Sequence, residues 1–360
     1  MRKRFCFVMC LLLTGTLSAQ ISYFEWQQEQ RQYIIKTPTG CDRNVPIVFF
    51  LHGLGDNITR LDNEYHFQQL ADRYQWIMVA PQALNGGIGN MWNAGLGNGS
   101  VDDAGFLMAL YDTLAAHYPV DTDSLFFTGF SMGGFMSHRM AIEHGDRINA
   151  CAPVSGLISH EMANQTASVP VKMLHIHGTA DPVVGYDGNS QYFGNLGLGV
   201  ASVIDYWKGV NHCSGDPTID TLPDLRNDGL RFVRYTYVGD APLQHIKVIG
   251  GVHTWYVNDN RYDIDYFDVI HQFFTEGSSV AIDRPALANL QLWPNPTADK
   301  VCVSTDAATW LIVVNTQGRI VAEYQVEQGI STLSLSHLPE GIYFVKDRLR
   351  GGVARCVVRR

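Results

Sequence analysis

The chain has 360 residues, 46% of them hydrophobic, 11% aromatic and only 17% charged, which supports at least one sizeable core and excludes intrinsic disorder for most of its length. The length suggests about two domains, and the lack of a repeat of roughly 20–50 residues excludes a solenoid or propeller. A net charge of −9 argues against nucleic acid as a partner, because phosphate binding needs a basic face, and seven cysteines are too few for a disulfide-built scaffold.

Arg2, Lys3 and Arg4 precede the apolar run Phe5 to Leu13, and Leu17-Ser18-Ala19 offers small residues for cleavage before Gln20. This predicts a signal peptide over residues 1–19, with an apolar run too short to span a bilayer, and therefore export by way of the periplasm. Beyond it lie Cys41, Cys151, Cys213, Cys302 and Cys356, an odd number whose spacing fits no zinc signature. Cys151 sits in an apolar run and reads as a buried thiol; pairing of Cys302 with Cys356 stays open.

From Pro46 the pattern alternates. Strand Ile47–Leu51, a helical segment around Ala71, strand Trp76–Ala80, helix Asp103–Tyr118, strand Leu125–Gly129 and helix Met132–His144 follow one another. Strands at Asn149–Pro153, Lys172–His177, Arg231–Tyr237 and Gln244–Ile249 come next, with helices near Ser190–Lys208 and Tyr262–Glu276. Such alternation predicts a three-layer α/β sandwich with a mostly parallel sheet over residues 20–276.

Gly129-Phe130-Ser131-Met132-Gly133 follows an apolar strand and opens a helix, the context that a G-x-S-x-G nucleophile elbow needs. Ser131 is the expected nucleophile, with the Met132 N–H facing a developing oxyanion and the Leu54 N–H of His52-Gly53-Leu54 as second donor. A serine hydroxyl needs an imidazole oriented by a carboxylate, in the chain order acid then histidine. Asp181 follows the strand ending at His177, and His253 follows the strand ending at Ile249, so both fall on loops at the carboxyl edge. Asp187, in a glycine-rich loop, is the reserve acid. His52 reads as a loop anchor, Asp102 and Asp103 as helix caps, and His175 with His177 as core or supporting histidines rather than half of a metal site.

Glu276-Gly277-Ser278-Ser279 and Asp283-Arg284-Pro285 interrupt the periodicity, predicting a linker over residues 277–288. Charge changes across it: residues 20–284 carry 15 Lys and Arg against 29 Asp and Glu, whereas 285–360 carry 8 against 6. Residues 289–360 then show short alternating segments, Lys300–Ser304, Trp310–Asn315, Arg319–Tyr324, Ser331–Leu335, Ile342–Asp347 and Val353–Val358, which predict a small all-β sandwich.

Two resemblances sharpen these expectations. Leu51-His52-Gly53, Trp92-Asn93, Asp102-Asp103-Ala104-Gly105-Phe106, Gly129 to Gly134, His177-Gly178-Thr179-Ala180-Asp181 and Gly250-Gly251-Val252-His253-Thr254-Trp255 resemble the polyhydroxybutyrate depolymerase and feruloyl/acetylxylan esterase family of α/β-hydrolases. The resemblance runs over about residues 30–276 and implies a Ser-His-Asp triad on Ser131, His253 and Asp181, with no cofactor and no metal. Two departures stand out: relatives often bridge the cysteine matching Cys213 to one on the strand before the histidine, where this chain has none, and Tyr256 stands where proline is common. Trp293-Pro294-Asn295-Pro296, Thr316-Gln317-Gly318-Arg319 and Leu338-Pro339-Glu340-Gly341-Ile342-Tyr343 resemble the C-terminal sorting domain of type IX secretion cargo, which implies the secretion machinery as a partner.

The expected protein is thus a secreted or cell-surface serine carboxylic-ester hydrolase acting through an acyl-enzyme on small or polysaccharide-borne esters. A polyhydroxybutyrate depolymerase is the alternative, and a non-catalytic binding module on the same fold is a more distant one. Loops Asn85–Ser100 and Val183–Val200 should frame the pocket mouth, with Trp92, Tyr186 and Trp255 as substrate-binding residues.

Overall fold

The computed structural model describes residues 21–360 except 98–100, 223, 225, 227, 258–261, 276–289, 291, 306–307, 316–318 and 348–352. The expected leader, the linker and the Thr316-Gln317-Gly318 turn lie outside the described residues. The chain divides into two units between Phe274 and Thr275.

In chain order the first unit contains β1 (Ile21–Trp26), β2 (Glu29–Lys36), β3 (Val45–Leu51), α1 (Ile58–Tyr65), α2 (Phe67–Tyr74), β4 (Ile77–Pro81), α3 (Asp103–His117), β5 (Val120–Phe130), α4 (Met132–His144) and β6 (Ala150–Val154). It continues with α5 (His160–Ala163), β7 (Lys172–Gly178), β8 (Asn189–Ser190), β9 (Gly194–Asn195), α6 (Val200–Val210), β10 (Ser214–Thr221), β11 (Arg231–Val238), β12 (Leu243–Ile249) and α7 (Tyr266–Thr275). One ten-stranded sheet runs β1-β2-β4-β3-β5-β6-β7-β12-β11-β10, parallel from β4 through β12.

Period-two alternation puts successive side chains of each central strand into different cores. Phe49, Leu51 and Phe127 join the core under α3, α4 and α6, where Phe106, Phe135 and Trp207 are packed. Val48, Phe50 and Phe126 join the core under α1, α2 and α7, with Phe67, Phe267 and Phe274. A fully buried Phe or Leu contributes about 1.5–3 kcal/mol, so both faces hold the sheet firmly enough for its edge loops to be placed with precision.

Three differences from the sequence reading have physical causes. The hairpin β1-β2, unread in the sequence, adds antiparallel strands to β4 through the register Tyr33 to Pro81, a non-local pairing that no local pattern announces. The helix expected near Ser190–Lys208 begins only at Val200; before it β8 and β9 form a small hairpin in a glycine-rich stretch. Asp102 caps α3 as expected, accepting from the Gly105 N–H, but Asp103 is no cap: it pairs with buried Arg31 at 2.6 Å and accepts the Asn93 N–H at 2.7 Å.

The second unit contains β13 (Leu292–Trp293), β14 (Lys300–Thr305), β15 (Thr309–Asn315), β16 (Ile320–Val326), β17 (Gly329–Ser334), β18 (Gly341–Asp347) and β19 (Val353–Val358). They form antiparallel sheets β13-β14-β17 and β16-β15-β18-β19 around Val301, Val303, Leu311, Val313 and Val345. Cys356 is buried in this core while Cys302 lies on β14 beside Thr332, and the five cysteines among the described residues are free, so the open pairing of Cys302 with Cys356 is not formed.

Candidate active site

The turn from β5 into α4 is sharp. Ser131 has φ 57° and ψ −121°, and such strained backbone costs about 1–3 kcal/mol unless its surroundings fix it. They do: the Ser131 N–H donates to Val154 O, and its carbonyl accepts from the N–H groups of Gly134 and Phe135. A Cβ at Gly133 would lie 1.9 Å from the Leu51 carbonyl oxygen, and one at Gly129 would lie 2.6 Å from that of Gly133. Glycine on both sides is therefore a steric necessity. The Ser131 side chain makes no capping bond to α4.

Asp181 and His253 sit 72 positions apart, on the loops after β7 and β12. Those strands are parallel neighbours, and their loops are laced together by Thr179 N–H to Val248 O, Ala180 N–H to Gly251 O and Gly250 N–H to the Thr179 hydroxyl. His253 Nδ1 consequently donates to Asp181 Oδ2 at 2.7 Å, while Asp181 Oδ1 accepts the N–H groups of Val183 and Val184 at 2.9 Å. Burial pushes the Asp181 carboxyl up, but the bond and charge of His253 and the Val184 N–H outweigh it and hold it below the usual carboxylate range. With Nδ1 committed, Nε2 is the imidazole nitrogen left to accept a proton. Asp187, the reserve acid, is exposed and bonded to Asn189 instead.

Ser131 and His253 line one cavity of about 510 Å³. Both expected loops frame it: Ile88, Met91 and Leu96 from the first, Val183, Val184, Phe193 and Leu196 from the second. Leu54 and Met132 also line it, and among the described residues neither N–H has a hydrogen-bond partner. His52 behaves as the expected anchor: fully buried, it donates from Nδ1 to Gly53 O and accepts the Ala83 N–H at Nε2, and burial pushes its pKa down to about 4.

The substrate-binding expectations need correction. Trp92 is fully buried and donates to the His52 carbonyl at 3.0 Å, so it braces the Leu54 loop from behind. The Tyr186 hydroxyl bonds His245 Nε2 at 2.8 Å. Trp255 packs among Phe50, Tyr65, Tyr266 and Phe267. None of the three lines this cavity; Phe193 is its aromatic wall on the 183–200 loop.

His175 and His177 face one side of β7, with rings 5.4 Å apart, and His138 approaches His175 at 3.3 Å. Burial lowers the pKa of each, keeping them neutral, and His177 Nε2 donates to Val184 O. They brace the Asp181 loop from beneath. Among the described residues no three His, Cys, Asp or Glu side chains are grouped to hold a metal ion.

This geometry coincides with sequence kinship. Residues 102–192 match the Phospholipase/Carboxylesterase family model, and residues 291–353 match the secretion system C-terminal sorting domain. The chain is 32% identical over 192 residues to the probable feruloyl esterase C of Aspergillus niger, covering 50% of this chain and 67% of that protein. It is 28% identical over 259 residues to a bifunctional acetylxylan esterase/xylanase of Neocallimastix patriciarum, covering 70% of this chain but 35% of that protein. An acetyl xylan esterase from Aspergillus awamori superposes with a TM-score of 0.49 at 17% identity, over 68% of this chain and 93% of that one. With a glycine-flanked serine elbow at the edge of a parallel sheet and this degree of identity to a feruloyl esterase, the chain belongs to the feruloyl esterase C family of α/β-hydrolase carboxylesterases, hydrolases of ester bonds, and ends in a secretion sorting domain.

Proposed function

We propose that the protein is a secreted serine esterase that cleaves aryl or acetyl esters, free or borne on polysaccharide, through an acyl-enzyme on Ser131. The observation that carries this reading is the 2.7 Å bond from His253 to Asp181 beside a cavity that His253 shares with Ser131. His253 Nε2 takes the proton as the Ser131 oxygen attacks the ester carbon, and Asp181 stabilises the imidazolium. The Leu54 and Met132 N–H groups receive the oxyanion. Collapse of the intermediate expels the alcohol with the proton from His253; water, activated the same way, then releases the acid.

Apolar walls and a volume of about 510 Å³ suit one acyl group held between two loops. A solid polyester calls for a polymer-binding surface, and the second unit is already accounted for by its match to the sorting domain. At matched enzyme concentration, feruloyl and acetyl sugar esters should therefore release acid faster than a polyhydroxybutyrate film releases hydroxybutyrate. The opposite order would install the depolymerase reading.

The sorting domain points to an extracellular or cell-surface destination. We infer a route through the periplasm, since the basic residues Arg2 to Arg4 and the apolar run after them have the pattern of a cleaved leader. A chain ending at Asp283 keeps every strand of the ten-stranded sheet and every cavity residue. It should remain an active esterase and accumulate in the periplasm of the producing cell; unchanged export would refute the role of the C-terminal domain in sorting.

A further inference from the structure

Met132 and Leu54 line the cavity from different kinds of structure: Met132 opens α4, whereas Leu54 lies on the loop between β3 and α1. A helix start aims its own N–H groups, but a loop N–H needs something to hold it. The loop passes beside the nucleophile, since a Cβ at Gly53 would stand 3.5 Å from that of Ser131. The Gly53–Leu54 peptide is trans, so the Leu54 N–H points opposite to the Gly53 carbonyl in one rigid plane. Whatever holds that carbonyl therefore aims the N–H. Its shortest bond comes from His52 Nδ1, at 2.7 Å, against 3.3 Å from the Asp56 N–H.

Two backbone donors determine where the proton of His52 sits. The Ile58 N–H at the start of α1 donates to Gln82 Oε1 at 3.0 Å, so the NH₂ of Gln82 is the end that meets His52 Nε2 at 2.8 Å. The Ala83 N–H donates to the same nitrogen at 3.0 Å. Facing two donors, Nε2 carries no proton, and the proton is kept on Nδ1 for the Gly53 carbonyl. The far side of the loop is held separately: Asn90 Nδ2 donates to Asp56 O at 2.8 Å, and the Gly55 N–H donates to Asn90 O at 2.8 Å. We propose that Gln82 and Asn90 are positioning residues of the oxyanion hole, Gln82 by fixing the His52 tautomer that holds the Gly53 carbonyl, Asn90 by clamping the loop beyond Leu54. The inference rests on the esterase reading above and adds residues that act on the oxyanion without touching it, for neither lines the cavity. A bond to the carbonyl of a peptide also polarises its N–H, so the His52 bond strengthens the Leu54 donor as well as aiming it. Gln82 is in turn anchored to β2, through its N–H to Gln32 O and through its carbonyl, which accepts from Arg31 at 3.3 Å.

The test measures kcat and KM on one aryl ester, and inhibition by a trifluoromethyl ketone that Ser131 would convert into a tetrahedral oxyanion, in the full chain and in Gln82→Glu and Asn90→Ala. Gln82→Glu keeps the volume and the acceptor for the Ile58 N–H but has no donor for His52 Nε2. Removing one oxyanion donor outright costs about 10²–10³ in kcat, so misaiming one should cost part of that. We expect kcat to fall about tenfold or more in Gln82→Glu with KM within about twofold, and the ketone to bind more weakly by the same factor as kcat/KM. Asn90→Ala, on the half-buried side of the loop, should show the same pattern at about fivefold, and it decides the matter if Gln82→Glu does not fold. Either kcat and ketone affinity both within about twofold of the unaltered chain, or a fall in kcat with ketone affinity unchanged, would overturn the positioning role and leave the esterase reading intact. Failure of the unaltered chain to cleave any ester or to react with a fluorophosphonate would overturn both.

Discussion

Ser131→Ala is expected to abolish covalent labelling by a fluorophosphonate and to lower kcat by about 10⁵-fold or more, a loss seen when a serine nucleophile is removed from a triad. The structure makes this a clean substitution. The Ser131 side chain bonds to nothing in α4, and the turn is held by backbone hydrogen bonds to Val154, Gly134 and Phe135, all of which alanine retains. The fold and the Leu54 and Met132 N–H donors should survive, leaving a residual rate from binding and oxyanion stabilisation alone. Near-normal turnover in the variant would show that another group carries the chemistry.

Asp181→Asn should cost about 10⁴-fold in kcat, and the hydrogen-bond pattern says why. Oδ1 accepts the N–H groups of Val183 and Val184, so an amide at this position keeps its oxygen there and turns its NH₂ toward His253 Nδ1. That nitrogen then accepts rather than donates, the proton moves to Nε2, and the imidazole can no longer receive the Ser131 proton. Asp187→Asn is the control. Its carboxylate is exposed and serves only a local turn at Asn189, so turnover should stay within about twofold. Greater damage from the Asp187 change than from the Asp181 change would transfer the acid role to Asp187.

The three corrections at the pocket show where local reasoning stops. Trp92, Tyr186 and Trp255 are aromatic residues near loops at the right edge of the sheet, which is all a sequence can say of them. Whether such a ring meets substrate or core depends on which partner stands behind it, and here the partners are the His52 carbonyl, His245 and the Phe50 and Phe267 rings. Phe193 escapes the same fate because the β8-β9 hairpin holds it out, 55% exposed. The signal that could have distinguished it was turn chemistry, in the glycine-rich run from Gly185 to Gly199.

What the sequence determined by itself follows from short-range physics. Period-two and helical patterns set the alternating strands and helices, steric exclusion at Gly129 and Gly133 set the elbow, and strand ends placed Asp181 and His253 on loops at one edge. These need only neighbours in the chain. The tertiary structure alone decided the rest: the β1-β2 hairpin against β4, the burial of Asp103 with Arg31, and the burial of Trp92 behind the Leu54 loop while Phe193 lines the cavity. Each depends on residues tens to hundreds of positions apart arriving at one place, and the side on which a ring or carboxylate ends is set by that packing.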